Sequence, residues 1–228
     1  MPSAYVFTAD GGPEVERFVD LPRPTPGDGE LLIAVRAAGV NPADWKLRAG
    51  LRIPGSTVTL PAVFGLEAAG VVVEVGPGVE GFAVGDEVFG GPTTGGYAEF
   101  TLLPAERAAH KPEKVSFTDA AALPVGAGTA YDAIAQLALP PGATLLIIGV
   151  GGGVGVAAAQ LARHAGLTVI GTASPRKKAF VESLGVRHVA SGPGGGAPRG
   201  GGGPPPPPPA SPVGFSWWPP GDTHGYSA

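Results

Sequence analysis

The stretch Thr144-Leu-Leu-Ile-Ile-Gly-Val-Gly-Gly-Gly-Val-Gly155 decides how this 228-residue chain is read. Thr144 to Ile148 is an apolar run of the kind buried on both faces of a parallel sheet. At Gly149 the run gives way to glycine, and from Gly153 to Ala165 the residues Val154, Ala158, Leu161 and Ala165 recur on one helical face. Leu167 to Gly171 reads as a second strand, Pro175 to Leu184 as a second helix and Arg187 to Ala190 as a third strand. The order is that of a βαβαβ unit. A tight βα turn needs glycine so that backbone N–H groups can approach a pyrophosphate, whose charge then lies at the positive end of the helix. Gly149, Gly152, Gly153, Val154 and Gly155 are therefore the candidate cofactor contacts of the turn.

Which dinucleotide is expected follows from the end of the second strand. Sites that prefer NAD place Asp or Glu there to hold the ribose hydroxyls, but this strand ends Ile170-Gly-Thr-Ala-Ser174. Ser174 is followed by Arg176, Lys177 and Lys178, donors and positive charges suited to a 2′-phosphate, so NADPH is expected over NADH, with Ser174, Arg176 and Lys178 as contacts. The alternative is that the cations form only the solvated first turn of a helix, where they oppose the helix dipole.

Upstream the pattern changes. From Ala4 to about Pro124 short strands alternate with turns, as in Glu30 to Ala37, where Leu31, Ile33, Val35 and Ala37 point to one face. Gly70 to Gly76, Gly85 to Phe89 and Tyr97 to Leu103 continue the series, which suits a small, partly closed antiparallel barrel. Ser116 is placed to cap a short helix over 116–123, with Asp119 answering the cap, and a further helix is expected over about 129–137, before the Pro-Pro-Gly turn at 140–142.

Composition narrows the function classes. Hydrophobic residues make up 43% of the chain, enough for an ordinary core, and a net charge of −4 with no dense basic block points away from nucleic acid or anionic membrane as partner. Cysteine is absent, which excludes disulfides, a nucleophilic thiol and thiolate metal sites. The first twelve residues do not read as a secretory signal and no run reaches the roughly 20 residues of a membrane span, so a cytoplasmic location is expected. After Ala190 the pattern dissolves: 191–228 holds 11 Gly and 11 Pro, six of the prolines at 204–209, and a disordered tail is expected.

With these residues in view, the chain resembles the zinc-free quinone oxidoreductase (zeta-crystallin-like) branch of the medium-chain dehydrogenase/reductase superfamily, over about residues 3–190. Gly39-Val-Asn-Pro-Ala-Asp44 is similar to the branch's active-site segment, Phe64-Gly-Leu-Glu-Ala-Ala-Gly70 to its acidic turn, Gly95-Gly-Tyr-Ala-Glu99 to the strand leading toward the cofactor domain, and Ala121 to Ala130 to its crossover helix. The glycines 149, 152 and 155 match its nucleotide turn. Zinc-dependent members carry a catalytic Cys, a His before the Glu of the acidic turn and a four-cysteine lobe. Here position 66 is Leu and the four histidines are scattered, so no metal is implied, and His164 is expected to face solvent.

The resemblance implies an α/β chain in three parts. These are a GroES-like β-barrel catalytic domain over 1–124, a partial NADP-binding Rossmann domain (doubly wound parallel sheet) over 125–190, and the tail over 191–228. It implies hydride transfer from NADPH to a quinone or an activated alkene or carbonyl, with Asn41 and Asp44 lining the substrate pocket, Asn41 donating to a developing oxyanion and Thr129 near the cofactor. Asp44 reads equally well as the cap of a short helix after the Asn-Pro turn. Glu67 is expected to pair with an arginine, and relatives suggest a homodimer. The family's cofactor domain continues for three more strands, so the strand 144–148 is expected to keep a bare edge, prone to aggregate or to recruit another chain. A frame shift near Ser191 and a polyproline ligand at 204–209 are the two readings of the tail. The alternative to an active reductase is a catalytically incompetent fragment that acts as a binding module.

Overall fold

The computed structural model describes residues 1–52 and 58–191. Everything expected of 192–228, the disordered tail and the polyproline ligand included, lies outside the described residues. The contacts divide the chain into two units, Met1–Val125 and the residues from Gly126 on.

The first unit runs β1 (Ser3–Phe7), β2 (Glu16–Asp20), β3 (Glu30–Ala38), α1 (Pro42–Arg48), β4 (Ala62–Val63), β5 (Ala68–Val75), β6 (Glu87–Gly90), β7 (Phe100–Pro104), β8 (Ala108–His110) and α2 (Phe117–Ala121). Two antiparallel sheets result, β2-β1-β4 and β7-β3-β5-β6-β8. β3 organises the larger sheet because it is apolar on both sides. Leu31 and Ile33 join Ala68, Val72, Val88 and Leu103 in one core cluster, with Val35 packed against it. Leu32, on the other face, is equally buried. Full burial of such side chains contributes about 1.5–3 kcal/mol each. Ala37, expected on the Leu31 face, packs instead with Ala69 and the helix residues Ala120 and Ala121, because the pairing of β3 with β5 shifts register between Val35 and Ala37.

Tyr97 does not open a strand as expected. Its backbone bridges Tyr5 and Phe64, with Tyr5 N–H donating to Tyr97 O at 2.8 Å and Tyr97 N–H to Phe64 O at 2.8 Å, and regular pairing begins only at Phe100. Gly95, at φ 85°, turns the chain there. Ser116 caps α2 as expected, accepting from Asp119 N–H at 3.1 Å and donating to its carboxylate at 2.7 Å.

α3 (Leu123–Leu137) begins about six residues before the helix read from sequence. Pro124 did not delay it, because proline's missing N–H costs nothing in a helix's first turn. The second unit continues with β9 (Thr144–Ile148), α4 (Gly153–His164), β10 (Thr168–Ala173), a 3-10 turn at Pro175–Lys177, α5 (Lys178–Ser183) and β11 (Arg187–Ala190). The strands form a parallel sheet in the order β11-β10-β9, the first half of a Rossmann sheet.

Two expectations are corrected. The buried face of α4 is Ala158, Ala159 and Ala162, one position round from the face read from sequence, and Val154 is exposed. Alanines carry so little hydropathy contrast that the larger Val154 and Leu161 draw the eye to the wrong phase. β9 is not buried on both faces: Leu145 and Ile147 pack on the core beside Val150 and Val169, while Leu146 is 57% and Ile148 66% exposed. With β10 on one side only, β9 is the sheet edge.

Candidate functional site

The turn after β9 is set by two glycines with different duties. Gly149, at φ 79°, takes a left-handed conformation that side chains resist. Gly155 sits so close to the chain behind it that a Cβ there would lie 2.6 Å from Gly149 O and 2.7 Å from Val150 Cα. Between them Val150 is fully buried, which anchors the turn in the core. Thr172 of β10 fastens it further, accepting from Gly149 N–H on its hydroxyl at 3.0 Å and from Val150 N–H on its carbonyl at 3.0 Å.

Gly152 is the N-cap residue of α4, and among the described residues no side chain caps the helix, so the first-turn N–H groups of Gly153, Val154 and Gly155 are available to an acceptor. No side chain lies within 4 Å of where a Cβ of Gly153 would be. A cradle of bare backbone at a helix N-terminus is the shape and polarity that a pyrophosphate fits.

At the end of β10 the structure sorts the three cations. Lys177 reaches back across the turn and donates to Gly151 O at 2.5 Å. Lys178 instead pairs with Glu182 along α5 at 2.9 Å. Arg176 is exposed, and Ser174 is the half-buried N-cap residue of the 3-10 turn, its carbonyl accepting from Lys177 N–H at 2.9 Å. Thr129 lies half-buried on α3. Sequence reasoning did not single out Thr172 or the reach of Lys177 to the turn. Thr172 looked like one more strand residue, and which of two adjacent lysines turns inward depends on the 3-10 start of the helix.

A second polar group belongs to the first unit. Asn41 and Asp44 close a capping box at the start of α1, Asp44 Oδ2 accepting the Asn41 backbone N–H at 2.7 Å. The Tyr97 hydroxyl stands 3.2 Å from the same carboxylate oxygen and 3.2 Å from Gly39 O. Asp44 Oδ1 is buried and has no hydrogen-bond partner among the described residues. The Tyr97 hydroxyl is held well above the ordinary tyrosine range, first by burial, then by the Asp44 charge and hydrogen bond, then by the Glu67 charge.

Glu67 is 3% exposed and does not meet the expected arginine among the described residues. Its Oε1 accepts from Asn41 Nδ2 at 2.7 Å and its Oε2 from Val125 N–H, near the start of α3, at 2.7 Å. Chemically the cluster holds one amide bonded to a carboxylate, that of Asn41, in a segment whose Val40 and Trp45 are exposed. Among the described residues no group of three or more His, Asp or Glu side chains is placed to hold a metal ion, and no helix is long and apolar enough to cross a membrane.

The alcohol dehydrogenase GroES-like domain family model matches residues 27–113. The quinone oxidoreductase of Sus scrofa is 43% identical over 166 residues, covering 72% of this chain and 50% of that protein. The 2-methylene-furan-3-one reductase of Solanum lycopersicum is 38% identical over 169 residues, covering 69% of this chain and 43% of that protein. The chain thus spans about half the length of these relatives. Among solved structures, a mycobacterial protein complexed with NADPH superposes with a TM-score of 0.73 at 36% identity, over 84% of this chain and 58% of that one.

Proposed function

The chain belongs to the medium-chain dehydrogenase/reductase superfamily, in its quinone oxidoreductase-like branch, and from that premise we propose that it binds NADPH and reduces a quinone or an activated alkene or carbonyl without zinc. The observation that carries the reading is the bare glycine turn of Gly149 to Gly155, open at the N-terminus of α4 and overhung by Lys177. When bound, the nicotinamide supplies the hydride.

The chain's own residues do the rest. The N–H groups of Gly153, Val154 and Gly155 receive the pyrophosphate, with Gly149 and Gly152 shaping the approach. Lys177, Ser174 and Arg176 meet the 2′-phosphate, the lysine and arginine supplying charge that an NADH site would not need. Lys178 keeps the smaller share in the set proposed from sequence, since its ammonium also pairs with Glu182. Thr129 remains in it on the family resemblance alone. Asn41 touches the acceptor, donating an amide N–H to the oxygen on which charge accumulates. Asp44 shapes the segment instead of touching the acceptor: its Oδ2 accepts from the Asn41 backbone and Tyr97, and its Oδ1, unpartnered among the described residues, is buried. A quinone or a polarised enone needs little Lewis-acid help, which suits a site that offers an amide in place of a metal, and the names of the pig and tomato relatives favour the same acceptors.

The test is the full chain mixed with NADPH and menadione, following loss of nicotinamide absorbance. Turnover that fails with NADH supports the reading in full. Absence of turnover from a chain whose circular dichroism shows it folded overturns it, and leaves a binding module in its place.

A further inference from the structure

We infer that Glu67 is a positioning residue that fixes the side-chain amide of Asn41 in a single orientation, an inference that rests on the function proposed above. An asparagine amide can flip end for end, and only one flip offers a donor to an acceptor oxygen. One Nδ2 proton of Asn41 goes to Glu67 Oε1 at 2.7 Å. The flipped amide would set its oxygen against that carboxylate with no proton between them, so it is disfavoured by both repulsion and a buried unsatisfied charge.

Glu67 can impose this because it is itself immobile. Its second oxygen is held by Val125 N–H at 2.7 Å, in the first turn of α3, where the helix dipole favours a carboxylate. Gly39 packs directly on its side chain, so closely that a Cβ at 39 would collide with the carboxylate, and the Gly39 N–H donates to Glu67 O at 3.2 Å. The carboxylate therefore has two donors, is buried, and is crowded on the Gly39 side. The second Nδ2–H of Asn41 is not used by Glu67, and Asn41 itself is only half-buried, in a segment whose Val40 and Trp45 are exposed. A charged acceptor on the first N–H also polarises the amide. Glu67 thus acts through Asn41 without meeting the acceptor.

The experiment uses the full chain as Glu67→Gln, which keeps the size and one acceptor oxygen but turns the other into a donor. In nitrogen-15 spectra, with the Asn41 side-chain amide assigned by its loss in Asn41→Ala, one wild-type Nδ2 proton is expected downfield and slow to exchange. In Glu67→Gln that protection falls at least about tenfold. In turnover of menadione, kcat falls about tenfold with the KM for NADPH unchanged, and Glu67→Gln has no further effect on kcat in an Asn41→Ala background. An unchanged Asn41 resonance in Glu67→Gln overturns the inference, as do multiplicative losses in the double variant. If wild type does not turn over, the proposed function fails, and the amide spectra alone decide whether Glu67 positions Asn41.

Discussion

The ammonium of Lys177 donates to the carbonyl of Gly151 across 2.5 Å, so a side chain from the 3-10 turn that follows β10 lies over the glycine turn that precedes α4. The neighbouring lysine, one residue on, is spent on Glu182. Two adjacent cations therefore have different duties. Lys177→Ala is expected to weaken NADPH binding about tenfold and NADH binding by much less, whereas Lys178→Ala leaves both within about twofold, because an exposed ion pair is worth at most about 1 kcal/mol. Fluorescence titration of both nucleotides, repeated at high salt, measures this. Equal losses for the two lysines would sink the assignment.

Gly155→Ala tests the turn itself. The new methyl would press on backbone, Gly149 O and Val150 Cα, which cannot rotate away as a side chain could. Overpacking of this kind costs about 1–3 kcal/mol. A lower unfolding midpoint in urea and loss of NADPH binding are expected, while Gly153→Ala, with nothing among the described residues near its Cβ position, is expected to hold or raise the midpoint, since alanine is favoured over glycine within a helix by about 1 kcal/mol. Equal stability of the two variants would remove the steric argument.

The turn, the strand order and the Ser116 cap were legible in the sequence because each rests on local chemistry: glycine where backbone must approach, apolar runs between turns, a hydroxyl three residues before Asp119. The face of α4 was not, since Ala158, Ala159 and Ala162 define it with hardly more hydropathy than their neighbours. The bare outer face of β9 was misread for a related reason: an apolar run tells what a strand is made of, not what packs on each of its faces. In the polar cluster, Asn41 and Asp44 announced themselves through the Asn-Pro turn. Their link to Glu67, 26 residues from Asn41, depends on the β3–β5 pairing that brings the two segments together, and no spacing rule reports that.

Tyr97 makes stability depend on alkaline pH. Its hydroxyl titrates higher in the folded protein than the ordinary value of about 10, so the folded state holds the proton more tightly. The contribution is present in full below about pH 10 and is lost as pH rises from there through the folded value. Wild type should therefore lose stability more steeply than Tyr97→Phe between about pH 9.5 and 11.5. At pH 7 the phenylalanine variant is expected to be less stable by about 1 kcal/mol, having lost the hydroxyl that faces Asp44 and Gly39. Urea titrations across that range measure both effects, and parallel pH profiles would refute the first.

The outer side of β9 carries the last prediction. Among the described residues its backbone pairs only with β10, and Leu146 and Ile148 present 57% and 66% of their surface to solvent on the same face. An edge with unpaired N–H and C=O groups beside apolar side chains is a template for pairing with another strand, and proteins blunt such edges with lysine. Ile148→Lys removes little packing, because the side chain is mostly exposed, so its effect on unfolding free energy should stay within about 0.5 kcal/mol. Its effect on association should be large: light scattering of the concentrated wild-type chain is expected to rise with time and temperature, and that of the lysine variant to stay flat. Leu145→Lys is the contrast, since Leu145 packs on the cluster of Val150, Val169 and Ala162, and a buried unpaired charge there costs several kcal/mol. Wild type and Ile148→Lys that scatter alike would show that the free edge of β9 does not drive association.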